Sequence, residues 1–504
     1  MYLRRGFRRQ GLGLLLILAL GLASWPAIEA GAAGFATAGI GIKARSMGGA
    51  FRGVADDWSA VSYNPAGLAF MKKGELNATL GTYSPQLSYT PNVTGNGVDI
   101  GFDRANGLKL YPDEDVWPLP SFAAIAVPGW ANGLALGAAV YWPHDVNYGW
   151  DIYRPPLQYN TDFEFPNQNY RTDLDVLDMH PVVAKTIGKN LAIGAGISLT
   201  DGSVVLRRVE FVPNAFGAPY NVYPYNNFAG ELLLKGRGFA VGANAGLLWR
   251  ATPSLNVGFS AQTPVSIPVS GTATLDMAWP VNPALADLQF DIINDANKPI
   301  FQRTYYLGNQ DEVRSAASHF TAPFDFNLKL PGQLGAGIGW TASDRLTLAA
   351  DLAVTFWSAV ESWDVKFSGS GLSTGADSTG DSTTTKIARV TIPFHWKDQV
   401  RLSVGAEYKA KSNISVRGGM YYDGGAAVDS TFTPNFPDVG GRLGLTCGFA
   451  YSLGQSWEFA AAQEIAFASE RSVPNQGEAN GVSVFPGIYS LSRYETLFSI
   501  SYRF

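Results

Sequence analysis

Along much of the chain, apolar and polar residues alternate with a period of two, the spacing of a strand whose side chains point to opposite faces of a sheet. In the clearest run, Leu191, Ile193, Ala195, Ile197 and Leu199 interleave with Ala192, Gly194, Gly196, Ser198 and Thr200. From Arg345 onward, Leu346, Leu348, Ala350, Leu352, Val354 and Phe356 oppose Thr347, Ala349, Asp351, Ala353 and Thr355. Val400, Leu402, Val404 and Tyr408 face away from Arg401, Ser403 and Glu407. Leu443, Leu445, Cys447, Phe449 and Tyr451 face away from Arg442, Gly444, Thr446 and Ser452. The chain stops on the same pattern, with Phe498, Ile500, Tyr502 and Phe504 set against Ser499, Ser501 and Arg503. A strand with one face in lipid and the other toward a lumen looks like this, although the strands of a soluble sandwich also alternate.

The connections separate the two. Short turns near Gly129 to Gly133, Gly188 to Asn190, Ala251 to Ser254, Thr341 to Asp344, Lys411 to Asn413 and Gly454 to Ser456 alternate with longer polar stretches. The long ones lie near Pro91 to Leu119, Tyr148 to Arg171, Pro213 to Phe228, Pro280 to Ser318, Gly369 to Thr385, Asp423 to Gly440 and Val473 to Gly487. Short turns on one rim and long loops on the other predict an all-β fold, a transmembrane antiparallel β-barrel of about 14 strands with both ends on the short-turn, periplasmic rim.

Composition agrees. Hydrophobic residues make up 46% of the 504 and charged residues only 16%, yet the mean hydropathy is +0.01, because the apolar residues are dispersed. After residue 32 there is no run of the roughly 18 apolar residues that a spanning helix needs. A net charge of −5 gives no reason to expect a nucleic-acid partner. The single cysteine, Cys447, cannot close an internal disulfide and falls on the lipid face. At the other end, Arg4, Arg5, Arg8 and Arg9 precede an apolar run from Leu12 to Leu22, and Ala30, Gly31 and Ala32 follow. Residues 1–32 read as an export signal cleaved after Ala32. The paired arginines fit a route for folded cargo, but a barrel must arrive unfolded, so the general secretory route is expected.

Residues 33–72 are different in kind. They are rich in Gly and Ala, and Asn64-Pro65-Ala66 breaks any regular element. Forty such residues cannot build a core of their own, whereas a barrel of this size encloses a lumen too wide for wall side chains to fill. They are expected to sit inside residues 73–504 as an N-terminal hatch, with inward Asp351, Arg401, Glu407, Arg417 and Arg442 bonding its backbone.

The order Ala33-Gly34-Phe35, Ser46-Met47-Gly48-Gly49-Ala50, Ala55-Asp56-Asp57 and Tyr63-Asn64-Pro65-Ala66-Gly67-Leu68 resembles the hatch of the outer-membrane long-chain fatty-acid and aromatic-hydrocarbon transporters (FadL/TodX-like, OMPP1). The resemblance implies that Asn64, Pro65 and Ala66 belong to a plug and that the mature N-terminus, Ala33, Gly34 and Phe35, lies beside a ligand pocket. It also implies a kink in the third strand that lets cargo leave sideways. Proline cannot donate to a strand ladder, so Pro143, after Trp142, is placed to cause that kink, unless it merely sits near the strand's outer end. Parity puts Arg208 inside, provided Asp201-Gly202 adds no bulge. There it would pair with a carboxylate headgroup or with the hatch. The terminal Phe504 fits the signal read by the barrel assembly machinery, and outer-membrane lipid is the expected surround.

The expected function is passive uptake of a hydrophobic small molecule, a long-chain fatty acid first and a hydrocarbon second, with no cofactor. Two other classes remain: a lipid-acting outer-membrane enzyme and a structural or adhesion barrel. Gly371-Leu372-Ser373-Thr374-Gly375 matches the serine-hydrolase elbow but sits in a polar loop with no helix after it. His144, His180, His319 and His395 lack metal-ligand spacing. Loop aromatics Trp150, Tyr153, Tyr159, Phe163, Phe165 and Tyr170 would line a capture groove or pack under the loops.

Overall fold

The computed structural model describes residues 34, 36, 39–93, 101, 105–113, 117–128, 133–154, 165–213, 227–278, 318–368, 372–373, 386–387, 389–474 and 485–504. The export signal with its cleavage site, Ala33, Phe35, Tyr159, Phe163 and most of the Gly371–Gly375 motif lie outside the described residues.

The strands close an antiparallel barrel of fourteen. The first six are Glu75–Pro91, Trp117–Ala126, Leu134–Trp150, Tyr170–Ile187, Leu191–Pro213 and Asn227–Thr252. The next four each come in two pieces: Leu255–Gln262 with Val265–Ala278, Ser318–Leu330 with Gln333–Ser343, Leu346–Thr355 with Ser362–Phe367, and Arg389–Pro393 with Gln399–Lys411. The last four are Ile414–Asp423, Arg442–Leu453, Trp457–Ala468 with Arg471–Val473, and Gly487–Arg503. Closure comes from the first and fourteenth strands, paired from Glu75↔Arg503 to Pro91↔Gly487. The strand count and the order of short and long connections are those the sequence predicts.

The pleat sorts the side chains as expected. Ile193, Ile197, Leu352, Val400, Leu443, Leu445 and Phe498 are exposed on the outer face, while Gly194, Ser198, Asp351, Ser403 and Arg442 are buried on the inner one. Trp249, Trp340, Tyr408, Tyr451, Trp457 and Tyr502 are exposed within a few residues of the short turns, a girdle of rings suited to a membrane interface. Cys447 is exposed on the outer face.

Inside this wall, residues 39–71 fill the part of the lumen nearer the short turns. They form a helix at Ile42–Ser46, another at Ala60–Tyr63 and a 3-10 helix at Pro65–Phe70. Asn64 starts the last of these, since its Oδ1 accepts from Ala66 N–H. Its Nδ2 donates to Arg52 O and, across to the wall, Leu247 O, so one side chain ties two turns of the segment to the sixth strand. The segment's Met47, Phe51, Trp58, Val61 and Leu68 are buried together with wall residues Ala123, Ala139, Ala184, Ala192 and Ala349. Small inward residues let backbone meet backbone. A Cβ on Gly258 would stand 2.0 Å from Arg52 O, and one on Gly419 would stand 2.2 Å from Met47 C.

Charge completes the fit. The Asp351 carboxylate accepts from Phe51 N–H at 3.0 Å and Arg52 N–H at 2.9 Å. Hydrogen bonds to a charged group contribute about 1.5–3 kcal/mol each. Arg401 donates to Gly48 O at 3.2 Å. Arg45 is buried between Glu464, at 2.8 Å, and Glu495, and Lys43 pairs with Glu407 at 2.8 Å. Of the five inward charges singled out in the sequence, Asp351 and Arg401 bond the segment's backbone and Glu407 bonds one of its side chains. Arg417 instead pairs with Glu407 at 2.8 Å, and Arg442 with Asp423 at 3.4 Å, both on the wall.

Replacing Gly258 by Val should expel the segment without opening the barrel, because the closing ladder does not involve it. The expected signs are new protease cleavage between residues 39 and 72 and higher ion conductance in planar bilayers, with heat-modifiable migration retained. Conductance and cleavage identical to the native barrel would show that this fit is not what seats the segment.

Candidate functional site

Toward the long-loop rim the inward faces change from small to large. Leu174, Val176, Leu206, Leu232, Leu234, Ile267, Phe324, Phe326 and Leu328 belong to one buried cluster spanning the fourth to eighth strands. The ninth and tenth strands break here. A 3-10 turn at Trp357–Ala359 interrupts the ninth. His395, at φ 48, bends the tenth, an uncommon conformation for a residue with a side chain. These breaks turn Trp357, Phe394 and Trp396 into the lumen.

The result is a chain of aromatic rings. Trp357 lies 5.2 Å from Trp396, Trp396 5.0 Å from Phe394, Phe394 5.2 Å from Trp363, and Trp363 5.0 Å from Phe326. Most cross edge to face, the arrangement aromatic quadrupoles favour. Phe436, from the loop between the eleventh and twelfth strands, lies 5.0 Å from Trp363 and 5.3 Å from Phe394. Trp363 and Phe326 lie on the inward face of alternating strands, but the period-two reading could not find Trp357, Phe394, Trp396 or Phe436, which sit where alternation stops. The apolar clusters Trp357 to Trp363 and Phe394-His395-Trp396 are the visible signal.

At one end the chain of rings meets a break in the wall. His144 on the third strand lies 6.3 Å from Trp357. The third strand keeps pairing with the fourth, but Tyr141↔Asp178 is followed by His144↔Val176, so Trp142-Pro143 holds one extra residue, a β-bulge. The inward set changes from Ala139 and Tyr141 below the bulge to Val146 and Trp150 above it. On its other edge the third strand pairs with the second only from Leu136↔Ala126 to Val140↔Phe122 among the described residues. The second strand's upper part, Trp117 to Ser121, pairs with the first strand. Contact on that side resumes at an isolated bridge, Asp113↔Gly149. Pro143 is therefore mid-strand, at a point where the ladder between two neighbouring strands is interrupted.

The N-terminal segment stands in this gap. Ala36 forms an antiparallel bridge with His144, whose other edge is taken by Val176, so Ala36 occupies the edge the second strand has left. Gly34, at φ 56, sits so close to Trp357 and Trp396 that a Cβ there would be 2.8 Å and 2.9 Å from their rings. Just inside lies a small cleft, lined by Ile40, Tyr83, Pro120, Tyr141, Trp142 and Leu497 and by the polar Arg45, Thr79, Ser121 and Glu495.

The fifth and sixth strands pair without interruption from Leu191↔Trp249 to Pro213↔Asn227, so Asp201-Gly202 adds no bulge. Arg208 stands opposite Leu232, on the face of Leu206 and Leu234, as parity requires. It pairs with Glu210 at 2.7 Å, and Arg207 with Glu231 at 2.5 Å. Among the described residues, the ion pair of Arg208 is with its strand neighbour Glu210 and not with the N-terminal segment. Trp150, Tyr153 and Tyr170 are buried beneath the loops with Phe165, Phe211 and Phe485 against them, the packing role rather than an open groove. His180 contacts Asp178 at 3.0 Å and Tyr141 at 3.2 Å. Among the described residues no group of histidine, cysteine and carboxylate side chains could hold a metal. In the loop that carries Phe436, burial pushes the Asp438 carboxyl up to about 7, against the opposing effect of the amides of Ala427 and Ala426.

Trp363→Ala should destabilise the refolded barrel by about 3–5 kcal/mol, the usual loss for a buried tryptophan, read from its denaturant midpoint in lipid. A loss under about 1 kcal/mol would mean that the ring is not packed as described.

The family model described as "Outer membrane protein transport protein (OMPP1/FadL/TodX)" matches residues 23–504. No curated protein matches the chain in sequence. Among solved structures, a Pseudomonas aeruginosa FadL homologue is 17% identical, with 94% of this chain and 99% of that one covered and a TM-score of 0.68. The P. putida toluene transporter TodX is 16% identical, with 92% and 98% covered and a TM-score of 0.62. The Ralstonia pickettii toluene transporter TbuX is 17% identical, with 93% and 99% covered and a TM-score of 0.60. At these identities the likeness establishes the fold.

Proposed function

Because the chain belongs to the outer membrane transport protein family (OMPP1/FadL/TodX), whose members carry hydrophobic compounds across the outer membrane, we propose a route and a cargo class for it. Cargo enters from the long-loop rim, rests among the rings of the upper lumen and leaves sideways between the second and third strands into the outer leaflet. Residues 33–72, the hatch, keep the passage closed toward the periplasm. The observation that carries this reading is the interrupted pairing at Trp142-Pro143, beside an apolar cluster and a cleft.

The energetics suit passive movement. Apolar surface is stabilised by about 25 cal/mol per Å2 on leaving water, and the aromatic cluster and lipid chains are both apolar. Passing from one to the other costs little, so a concentration gradient suffices. For cargo, an uncharged aromatic or aliphatic hydrocarbon leads. The arginines on this part of the wall, Arg171, Arg207 and Arg208, are each already paired with a carboxylate, Asp173, Glu231 and Glu210. A fatty-acid headgroup would have to displace Glu210 to reach Arg208.

The test is uptake of radiolabelled toluene and oleate by cells lacking their own transporters. Deleting Pro143 restores the register of the third strand and should cut uptake at least about tenfold at equal membrane abundance, as closing a gate would. Undiminished uptake would rule out exit at the bulge. Arg208→Ala should leave toluene uptake unchanged, and a selective loss of oleate uptake in that variant would instead make a carboxylate the cargo.

A further inference from the structure

The loop joining the eleventh and twelfth strands, residues 424–441, does not stay on its own side of the barrel. Trp150 Nε1–H on the third strand donates to Pro434 O at 2.9 Å. Thr172 Oγ1–H on the fourth donates to Asn435 O at 2.7 Å. The Asn435 amide in turn donates to Arg171 O and to Arg207 O on the fifth, each at 3.1 Å. In a ring of fourteen strands the fourth and eleventh are seven apart in either direction, so this tip reaches the opposite wall by crossing the lumen. Asn435 is 2% exposed and Phe436 5%. Phe436 points into the rings of Trp363 and Phe394.

The two ends of the crossing are held differently. At its base the loop is fastened to its own neighbourhood. The Asp438 carboxylate accepts from Ala426 N–H at 2.9 Å and Ala427 N–H at 2.7 Å, and Arg471 pairs with Asp429 at 2.6 Å while donating to Asp438 O at 2.9 Å. At the tip the bonds join uncharged groups, the side-chain-to-backbone bonds above and one from Asn435 Nδ2–H to Thr172 Oγ1 at 3.1 Å, worth about 0.5–1.5 kcal/mol each, roughly half of what the ionic contacts at the base contribute. The base is thus held by charge, and the tip by neutral bonds and the apolar contacts of Phe436.

We propose that residues 424–441 are a lid over the outer mouth of the lumen. It opens when the Pro434-Asn435 tip releases the third to fifth strands, withdrawing Phe436 from the position that a ring-shaped or chain-like cargo takes among Trp363 and Phe394. Its role in uptake rests on the transport reading above, and its opening does not.

Two measurements test it, both in a Cys447→Ser background. In the first, Phe436→Cys in the purified barrel is exposed to a bulky, membrane-impermeant maleimide. A lid that opens gives steady labelling under native conditions, and Asn435→Ala beside it should speed labelling at least about tenfold by freeing the tip. No labelling while the barrel stays folded, or no effect of Asn435→Ala, overturns the proposal. In the second, Thr172→Cys with Asn435→Cys is joined by oxidation or by a short bis-maleimide. Uptake of whichever cargo the Cys447→Ser barrel carries should fall at least about tenfold when joined and, for the disulfide, return on reduction. Equal uptake in both states overturns the lid as a gate. A Cys447→Ser barrel that carries neither toluene nor oleate would count against the transport reading, while the labelling measurement would still decide whether the lid opens.

Discussion

Inside hydrocarbon there is no water to satisfy a backbone N–H or C=O, and each one left bare costs several kcal/mol. That constraint forces a fully paired ring, and it fixes where the ring can be opened. A strand may leave its neighbour only where another piece of protein faces the exposed edge or the edge lines a cavity. At Trp142-Pro143 both conditions hold. Proline has no N–H to leave unsatisfied, Ala36 takes up the edge at His144, and the cleft lies directly behind. The weak point of the wall and the segment that covers it are therefore a single feature. Opening sideways means moving Ala36, and moving Ala36 means freeing Gly34 from between Trp357 and Trp396.

The same segment answers the second problem of a wide barrel, which is what to put in the middle. Its buried cations are each paired with a carboxylate: Arg45 with Glu464 and Glu495, Lys43 with Glu407, Arg52 with Asp351 at 3.3 Å. Buried pairs of this kind add little net stability over apolar packing, but removing one partner is costly because the other is stranded. Their value here is in fixing position. Apolar contact alone would let a Gly- and Ala-rich segment slide along a smooth tube, whereas the pairs with Glu464, Glu407 and Asp351 define its depth and rotation.

Period-two alternation made the barrel legible: a strand between lipid and lumen cannot hide its two faces, and the long and short connections followed from the gaps between runs. Parity also placed Asp351, Arg401 and Arg208 on the inner face. What parity cannot give is the partner. Glu464 lies 419 residues from Arg45, and only the closed ring brings them together. Glu210 was within reach of the sequence, since two residues from Arg208 on the same strand is the same face. That residues 39–71 belong in the lumen could be expected from the resemblance and from their inability to form a core, whereas much of the aromatic cluster could not. Trp363 and Phe326 follow the inward parity of their strands, but Trp357, Phe394 and Trp396 come from breaks in the ninth and tenth strands, and Phe436 from a loop whose sequence, Asp423 to Gly440, reads only as a connection.

Phe436 and Gly34 both touch the same group of rings, one from the outer mouth and the other from beside the bulge. On the route and lid proposed above, these are the closures on the two sides of the upper lumen, and the two share a packed interior. Packed cores resist continuous deformation and tend toward discrete arrangements. A ligand that wedges apart Trp357, Trp363, Trp396 and Phe394 from the mouth would disturb the seat of Gly34 at the far end without touching it. Coupling of this kind needs no energy source, because a ligand shifts a conformational balance by as much as its affinities for the two states differ. It would also keep the passage from standing open at both ends, which a barrel with a gap in its wall has reason to avoid.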